Sequence, residues 1–224
     1  MAEYREIQGA AVQSLASNTG TIEGQIWYDT ANNLFKLQSY QAAGVWSTGG
    51  VLGTARYFAQ NGAGTQNAAL VFGGQAPVKY NTESYDGTSW TEVNDMSRAP
   101  ADTTGMGAGG TQTSALAAGT QPFSTLSESW DGSCWTSTPT LNSGRGYLAG
   151  SIESNTAGIV YGGIGPTTGV ALTELYNGST WSEVADLNTA RRSNAGVGSS
   201  TAALGMGGYS GGNVANCESW DGSC

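Results

Sequence analysis

The chain contains no histidine. Histidine is the commonest general base and a frequent transition-metal ligand, so its absence argues against Ser-His-Asp and Cys-His catalysis and against most transition-metal sites. The three cysteines, Cys134, Cys217 and Cys224, lack the CxxC spacing typical of zinc sites. We therefore predict no catalytic residue, no metal and no cofactor. Chemistry carried by carboxylates alone stays open as a weaker alternative.

Charge is also scarce, because charged residues make up only 11% of the chain and only eight of them are basic. The net charge of −9 and the single adjacent basic pair, Arg191–Arg192, argue against nucleic acid as a partner, since phosphate binding needs clustered Lys and Arg. No run of eighteen apolar residues is present, so no membrane insertion is predicted. Residues 1–20 carry Glu3, Arg5 and Glu6 without an apolar core, and no secretory signal is predicted.

Glycine is abundant, at 35 positions, and one short phrase of sequence recurs along the chain. Small and polar residues of this kind favour short strands and tight turns over helices. The phrase reads TESYDGTSWTEV, SESWDGSCWTST, TELYNGSTWSEV and CESWDGSC, and its glutamates lie 45, 46 and 44 residues apart. These glutamates are Glu83, Glu128, Glu174 and Glu218. A fixed period in this range indicates a repeat architecture.

Each period predicts one small antiparallel sheet of about four strands. An Asp-Gly or Asn-Gly pair in each phrase is typical of a two-residue hairpin turn, and a short apolar run before it suits a strand buried on both faces. The four turns begin at Asp86, Asp131, Asn177 and Asp221. One such sheet cannot bury both faces alone, so neighbouring sheets must stack, and a ring of them is a β-propeller.

The repeat resembles the kelch repeat. The shared features are an apolar strand ending in Gly-Gly, an aromatic residue (Tyr85 in the first repeat), and a Trp five residues later (Trp90). The second repeat departs from the pattern, with Ala118-Gly119 in place of the glycine pair. The resemblance implies an all-β fold in which residues 44–224 form a kelch-like β-propeller of about 45-residue blades.

The fourth copy of the phrase stops at Cys224, before the strand that would carry its Trp. Trp46, in contrast, is not preceded by the earlier strand of the phrase. We predict that the strand of Trp46 fills the position after Cys224 and completes a ring of four blades. The alternative is a chain that belongs to a longer ring.

Residues 1–43 show no period. Within them, strands are predicted at Gly24–Tyr28 and Leu34–Tyr40, joined by a turn over Asp29–Asn33. The phrase IEGQIWYDTANNLFKL, Ile22–Leu37, resembles the N-termini of bacteriophage structural and tail-fibre proteins, and short heads before Gly/Ser/Thr-rich β domains resemble kelch-like proteins of marine phages. This resemblance implies a virion location and docking of residues 1–43 onto other virion proteins. It also implies a homo-oligomer, with trimers frequent among phage fibres.

The recurring glutamates allow two interpretations: a ring of cation-binding carboxylates, or buried partners of recurring arginines and of backbone N–H groups. We favour the second, because Arg56, Arg145 and Arg191 each follow a Trp by ten residues, with Arg98 two residues out of step. The recurring tryptophans are predicted to pack between blades rather than to stack on sugars. A link between Cys217 and Cys224 stays open. The clusters Gly105–Gly110 and Gly205–Gly212 lack a Gly-Lys-Ser/Thr ending and are not predicted to be phosphate loops.

Variable loops are the predicted recognition surface, because all of them follow the apolar strand and would emerge on one face. These loops are Gln75–Asn81, Thr120–Leu126, Gly165–Ala171 and Tyr209–Ala215. The sequence therefore predicts a non-enzymatic phage virion protein, a tail fibre or other appendage, whose propeller faces outward and binds host-surface glycans. The alternative is a soluble bacterial kelch-type lectin or protein-interaction module.

Overall fold

The computed structural model describes residues 13–15, 26–37, 46–57, 62–75, 80–97 and 105–223. Within these residues the fold is all-β, with eighteen strands and no helix. The chain divides into two compact units, Met1–Thr48 and Gly49–Cys224.

The first unit contains a three-stranded sheet. Its strands are β1 (Gln13–Leu15), β2 (Ile26–Asp29) and β3 (Leu34–Leu37). Strands β2 and β3 form an antiparallel hairpin, as the sequence predicts. Asn33 closes the turn with φ 54°, a left-handed conformation that Asn tolerates better than most residues. Strand β1 pairs in parallel with β2 and had no signal in the sequence.

The second unit contains four antiparallel sheets, one for each repeat. Sheet 1 has strands β4 (Gly62–Thr65), β5 (Ala68–Phe72), β6 (Thr82–Tyr85) and β7 (Trp90–Val93). Sheet 2 has β8 (Gly107–Thr111), β9 (Ser114–Thr120), β10 (Ser124–Trp130) and β11 (Trp135–Ser137). Sheet 3 has β12 (Ala149–Ser154), β13 (Ala157–Tyr161), β14 (Thr173–Tyr176) and β15 (Trp181–Glu183). Sheet 4 has β16 (Ala195–Gly198), β17 (Ala203–Met206) and β18 (Cys217–Trp220).

The Asp-Gly and Asn-Gly pairs lie in the hairpin turns, as predicted, but the turns are longer than two residues, because four residues, such as 86–89, separate the paired strands. In the first three repeats an aromatic residue pairs directly with the recurring Trp across the turn, for example Tyr176 with Trp181, whose ring centroids are 4.9 Å apart. Gly178 has φ 89°, and Asn177 Oδ1 accepts the N–H groups of Ser179 and Thr180, both at 2.9 Å. The turn residue therefore fixes the hairpin by hydrogen bonds that an aspartate or an asparagine makes equally well.

The aspartate of the second turn makes stability depend on pH. Hydrogen bonds from the Cys134 N–H and from the Ser133 hydroxyl and N–H lower the pKa of Asp131 from 3.8 to about 2. Because the folded pKa is depressed, the carboxylate contributes stability above about pH 4, and that contribution is lost as the pH falls toward about pH 2. We expect Asp131→Asn to flatten the urea-midpoint profile over this window, as read by tryptophan fluorescence. Asn177→Asp should steepen it, and an unchanged slope in both variants would contradict the assignment.

The sheets bury their faces against each other in chain order. In β9, Ala115 and Ala117 pack in the core between sheets 1 and 2, whereas Leu116 and Ala118 pack in the core between sheets 2 and 3. A third core, around Tyr161, lies between sheets 3 and 4. The predicted burial of the apolar strands on both faces is therefore confirmed for β9, and it explains why their sequence does not alternate.

The first strands of successive sheets approach each other through glycine. A Cβ on Gly150 of β12 would lie 3.0 Å from the Ala108 nitrogen and 3.1 Å from the Gly107 carbonyl carbon of β8. Contacts join β4 to β8, β8 to β12, and β12 to β16. Among the described strands no comparable contact joins β16 to β4. The all-β repeat of small stacked sheets is confirmed, and its closure into a ring is not seen.

Completion of the ring by the strand of Trp46 is not shown and stays a prediction. Within the described residues, sheet 4 has three strands, and Trp46 lies outside every strand with its side chain fully exposed. The other recurring tryptophans are held beside their partner strands by an Asp-Gly or Asn-Gly hairpin, and the segment of Trp46 has no such hairpin. A matching period in the sequence does not by itself form a hydrogen-bonded ladder.

Candidate functional site

The recurring glutamates and arginines form buried ion pairs. Arg56 contacts Glu83 and Arg145 contacts Glu174, each with an N–O distance of 2.5 Å, and Arg191 contacts Glu218 in the same way. The pairing predicted from the sequence is therefore confirmed in sheets 1, 3 and 4. Arg98 lies outside the described residues, and in sheet 2 the Ser97 hydroxyl donates to Glu128.

Each glutamate also binds the chain segment that leads into its own sheet. The residue seven positions after a recurring Trp donates its backbone N–H to the glutamate of the following sheet: Gly53 to Glu83 at 2.6 Å, and Asn142 to Glu174 at 2.7 Å. Asn188 donates to Glu218 in the same way at 2.6 Å. The side-chain amides of Asn142 and Asn188 add a second bond at 2.9 Å. These donors were not predicted, although their constant offset from the Trp is visible in the sequence.

The arginines hold the ends of the neighbouring strands. Arg56 Nη1 donates to the carbonyl oxygens of Gly73 and Asn81 at 3.0 and 2.9 Å, just beyond β5 and just before β6. Arg191 Nη1 makes the equivalent bonds to Gly207 and Asn216 at 3.2 and 2.9 Å. A carboxylate that is buried, paired and hydrogen-bonded in this manner has a structural use. Among the described residues, no group of three or more Cys, Asp or Glu side chains is arranged to hold a metal ion.

Two of the recurring tryptophans, Trp135 and Trp181, pack between sheets, as predicted. Trp135 of sheet 2 meets Phe72 of sheet 1 with ring centroids 4.7 Å apart, and its indole N–H donates to the Thr82 hydroxyl at 2.9 Å. Trp181 lies in the core between sheets 2 and 3. Both are buried, and neither is free to stack on a sugar.

Side-chain amides in the first hairpin of a sheet reach back to the sheet before it. Gln112 Nε2 donates to the Tyr85 carbonyl at 2.5 Å, and Asn155 Nδ2 donates to the Trp130 carbonyl at 3.1 Å. These two amide contacts were not predicted from the sequence. The available signal was a Gln or Asn after Thr or Ser in the first hairpins of sheets 1, 2 and 3.

The second strands end and the first strands begin at one common end of sheets 2, 3 and 4, which we call the loop end. The N–H of Thr120, at the end of β9, donates to the Arg145 carbonyl at 3.1 Å, and the N–H of Gly163, after β13, donates to the Arg191 carbonyl at 2.8 Å. The predicted common face for the loops is therefore confirmed for these three sheets. Part of the first loop, residues 76–79, lies outside the described residues.

The second predicted loop, Thr120–Leu126, is wrong in its extent. Strands β9 and β10 run to Thr120 and from Ser124, so only residues 121–123 turn. The hairpin extends because Thr120 replaces the second glycine of the other repeats, and those second glycines, such as Gly163 at φ 106°, end their strands in left-handed conformations.

A hollow of about 420 Å³ opens at the loop end, where three first strands begin. It is lined by residues from 105–108, 147–150 and 193–196, one segment from each of sheets 2, 3 and 4. None of its lining side chains carries a charge. Tyr147 and Ser193 stand at equivalent places in their repeats, and both adopt positive φ, at 50° and 54°.

The remaining sequence candidates carry no site. Cys134 and Cys217 are exposed free thiols, and Cys224 lies outside the described residues. The glycine clusters belong to strands β8 and β17 and their flanking turns, without a following helix, so they do not form phosphate loops.

Comparison with known proteins adds no family. No protein-family profile matches the chain, and a search of curated proteins finds no match. In the part of the chain that the structure describes, no helix is long and apolar enough to span a membrane.

Proposed function

We propose that the repeats are blades of a kelch-like β-propeller that serves as a non-enzymatic binding scaffold on a phage virion, as part of a tail fibre or other appendage. The observation that supports a scaffold is the use of the buried charged residues. Glu83, Glu174 and Glu218 each contact an arginine and receive an N–H from the segment that precedes their own sheet. Such contacts make a rigid frame, and a rigid frame with loops at one end is the usual form of a binding repeat protein.

In this proposal the two units have different partners. Residues 1–43 dock onto other virion proteins, and the loop end binds host-surface glycans. The resemblance of Ile22–Leu37 to phage fibre N-termini supports docking, and the unit Met1–Thr48, with its own sheet, supports a separate role for this segment. Homo-oligomerisation, for instance as a trimer, multiplies weak contacts at the loop end by copy number.

The test is deletion of residues 1–43 from the gene of the phage that carries this protein. We expect the truncated chain to keep the repeat fold by circular dichroism but to be missing from purified particles by immunoblot. The full-length chain with Asp131→Asn, a change confined to a hairpin turn, is the control and should be incorporated. Incorporation of the truncated chain would contradict docking through this segment.

A soluble lectin unrelated to virions is the second candidate, and the uncharged hollow at the loop end favours it. The two functions separate in the same experiment, because a soluble lectin would be absent from particles at full length and would still bind sugars.

A further inference from the structure

The hollow at the loop end has the size and the construction of a ligand site. Its volume of about 420 Å³ lies within the range of about 300–1,000 Å³ that is usual for small-molecule pockets. Three repeats contribute equivalent segments, so its walls are the same rigid first strands that pack through glycine. Two backbone hydrogen bonds join its lining segments, from the Leu148 N–H to the Gly105 carbonyl at 3.4 Å and from the Ser193 N–H to the Tyr147 carbonyl at 2.8 Å.

Two side chains in the hollow are held against their backbone preference. Gly105, Tyr147 and Ser193 occupy the same position in three repeats, with φ of 66°, 50° and 54°. Glycine adopts this conformation freely, whereas Tyr and Ser are strained in it. In a chain with 35 glycines, the second and third of these positions nevertheless carry a phenol and a hydroxyl. Strain of this kind concentrates where a side chain serves binding.

The chemistry of the walls selects the ligand class. Tyr147 offers an aromatic face and a hydroxyl, Ser193 offers a second hydroxyl, and the glycines expose backbone carbonyl and N–H groups. No charged side chain lines the hollow, and the chain carries a net charge of −9, which disfavours anions. A polyhydroxylated neutral ring matches these groups, because its C–H face packs on an aromatic ring and its hydroxyls exchange hydrogen bonds with small polar groups.

We propose that this hollow binds a neutral sugar, with Tyr147 as the stacking platform and Ser193 as a hydrogen-bonding group. The proposal rests on the glycan-binding part of the proposed function and gives it a location.

The experiment is saturation-transfer NMR on the full chain with three neutral probes, glucose, galactose and N-acetylglucosamine, and one anionic probe, N-acetylneuraminic acid. We expect at least one neutral probe to bind and the anionic probe to bind more weakly. Tyr147→Gly should weaken neutral binding at least about tenfold. Ser193→Gly should weaken binding several-fold and raise the melting temperature, because it removes strain from an exposed residue.

The control is Val51→Ala, which removes an exposed apolar side chain that neither lines the hollow nor belongs to a variable loop. This variant should bind as the unchanged chain does. Three results would each overturn the inference: no binding of any neutral probe, tighter binding of the anionic probe, or unchanged binding in both glycine variants. Incorporation into particles is read separately, so failure at the hollow leaves docking through residues 1–43 standing.

Discussion

Glu174→Ala is expected to lower the free energy of unfolding by about 3–5 kcal/mol, since it leaves an arginine charge buried without its counterion. Both side chains of the pair are almost fully inaccessible, at 1% exposure for Arg145 and 0% for Glu174. Arg145 Nη1 donates to Glu174 and, at 3.3 Å, to the Ser143 carbonyl, while its Nε and Nη2 are buried without a hydrogen-bond partner in the described structure. The change also frees the Asn142 N–H, so the bond from the segment that leads into sheet 3 is lost with the ion pair.

Urea unfolding followed by tryptophan fluorescence measures this loss as a shift in midpoint at constant slope. The matched control is Glu183→Ala, because Glu183 pairs directly with Glu174 across the sheet but is exposed. We expect the control to change stability by no more than about 0.5 kcal/mol. Equal losses of stability at the two positions would show that the buried ion pair contributes no more to stability than an exposed glutamate does.

The three pairs should differ in a defined order. Arg56 keeps the carbonyls of Gly73 and Asn81 when Glu83 is removed, so Glu83→Ala should cost less than Glu174→Ala. Glu218 is already 13% exposed, and its arginine also keeps two carbonyls, so its removal should cost least. The order follows from how much of each arginine's hydrogen bonding depends on the carboxylate.

Much of this fold could be predicted from the sequence, because the interactions that determine it are local. An Asp-Gly or Asn-Gly turn fixes the two strands beside it through bonds within four residues, as Asn177 does with Ser179 and Thr180. The Glu–Arg pairing was also predictable, since both residues recur at the repeat period. The common loop end followed from the order of strands within one period.

What the sequence left undetermined depends on contacts between repeats or on single departures from the pattern. Thr120, in place of a glycine, extends a hairpin. Glu153 lies at a register shift in β12, where sheets 2 and 4 have Gly110 and Gly198. Trp46 keeps the period without a hairpin to hold it. The hollow was missed because it depends on the φ angles of Tyr147 and Ser193, which no pattern of residue types reports.

Asn194→Leu is expected to raise the free energy of unfolding by about 1–3 kcal/mol, the cost of leaving buried polar groups unsatisfied. Asn194 is 8% exposed, and neither its Oδ1 nor its Nδ2 has a hydrogen-bond partner in the described structure. The equivalent residues of sheets 2 and 3 are Met106 and Leu148, both buried in the cores between sheets. Leucine has nearly the shape of asparagine, so the change removes the desolvation cost without overfilling the site.

The control for this gain is the same substitution where the amide is satisfied. Asn155 Nδ2 donates to the Trp130 carbonyl at 3.1 Å, so Asn155→Leu should lower stability by about 0.5–1.5 kcal/mol. The urea midpoint should therefore rise in Asn194→Leu and fall in Asn155→Leu. Such opposite changes would show that the gain at Asn194 comes from removing an unsatisfied amide and not from added apolar surface in general. A loss of stability in Asn194→Leu would instead mean that the Asn194 amide is hydrogen-bonded in solution. The sign at Asn194 therefore reports whether its buried amide has a hydrogen-bond partner in solution.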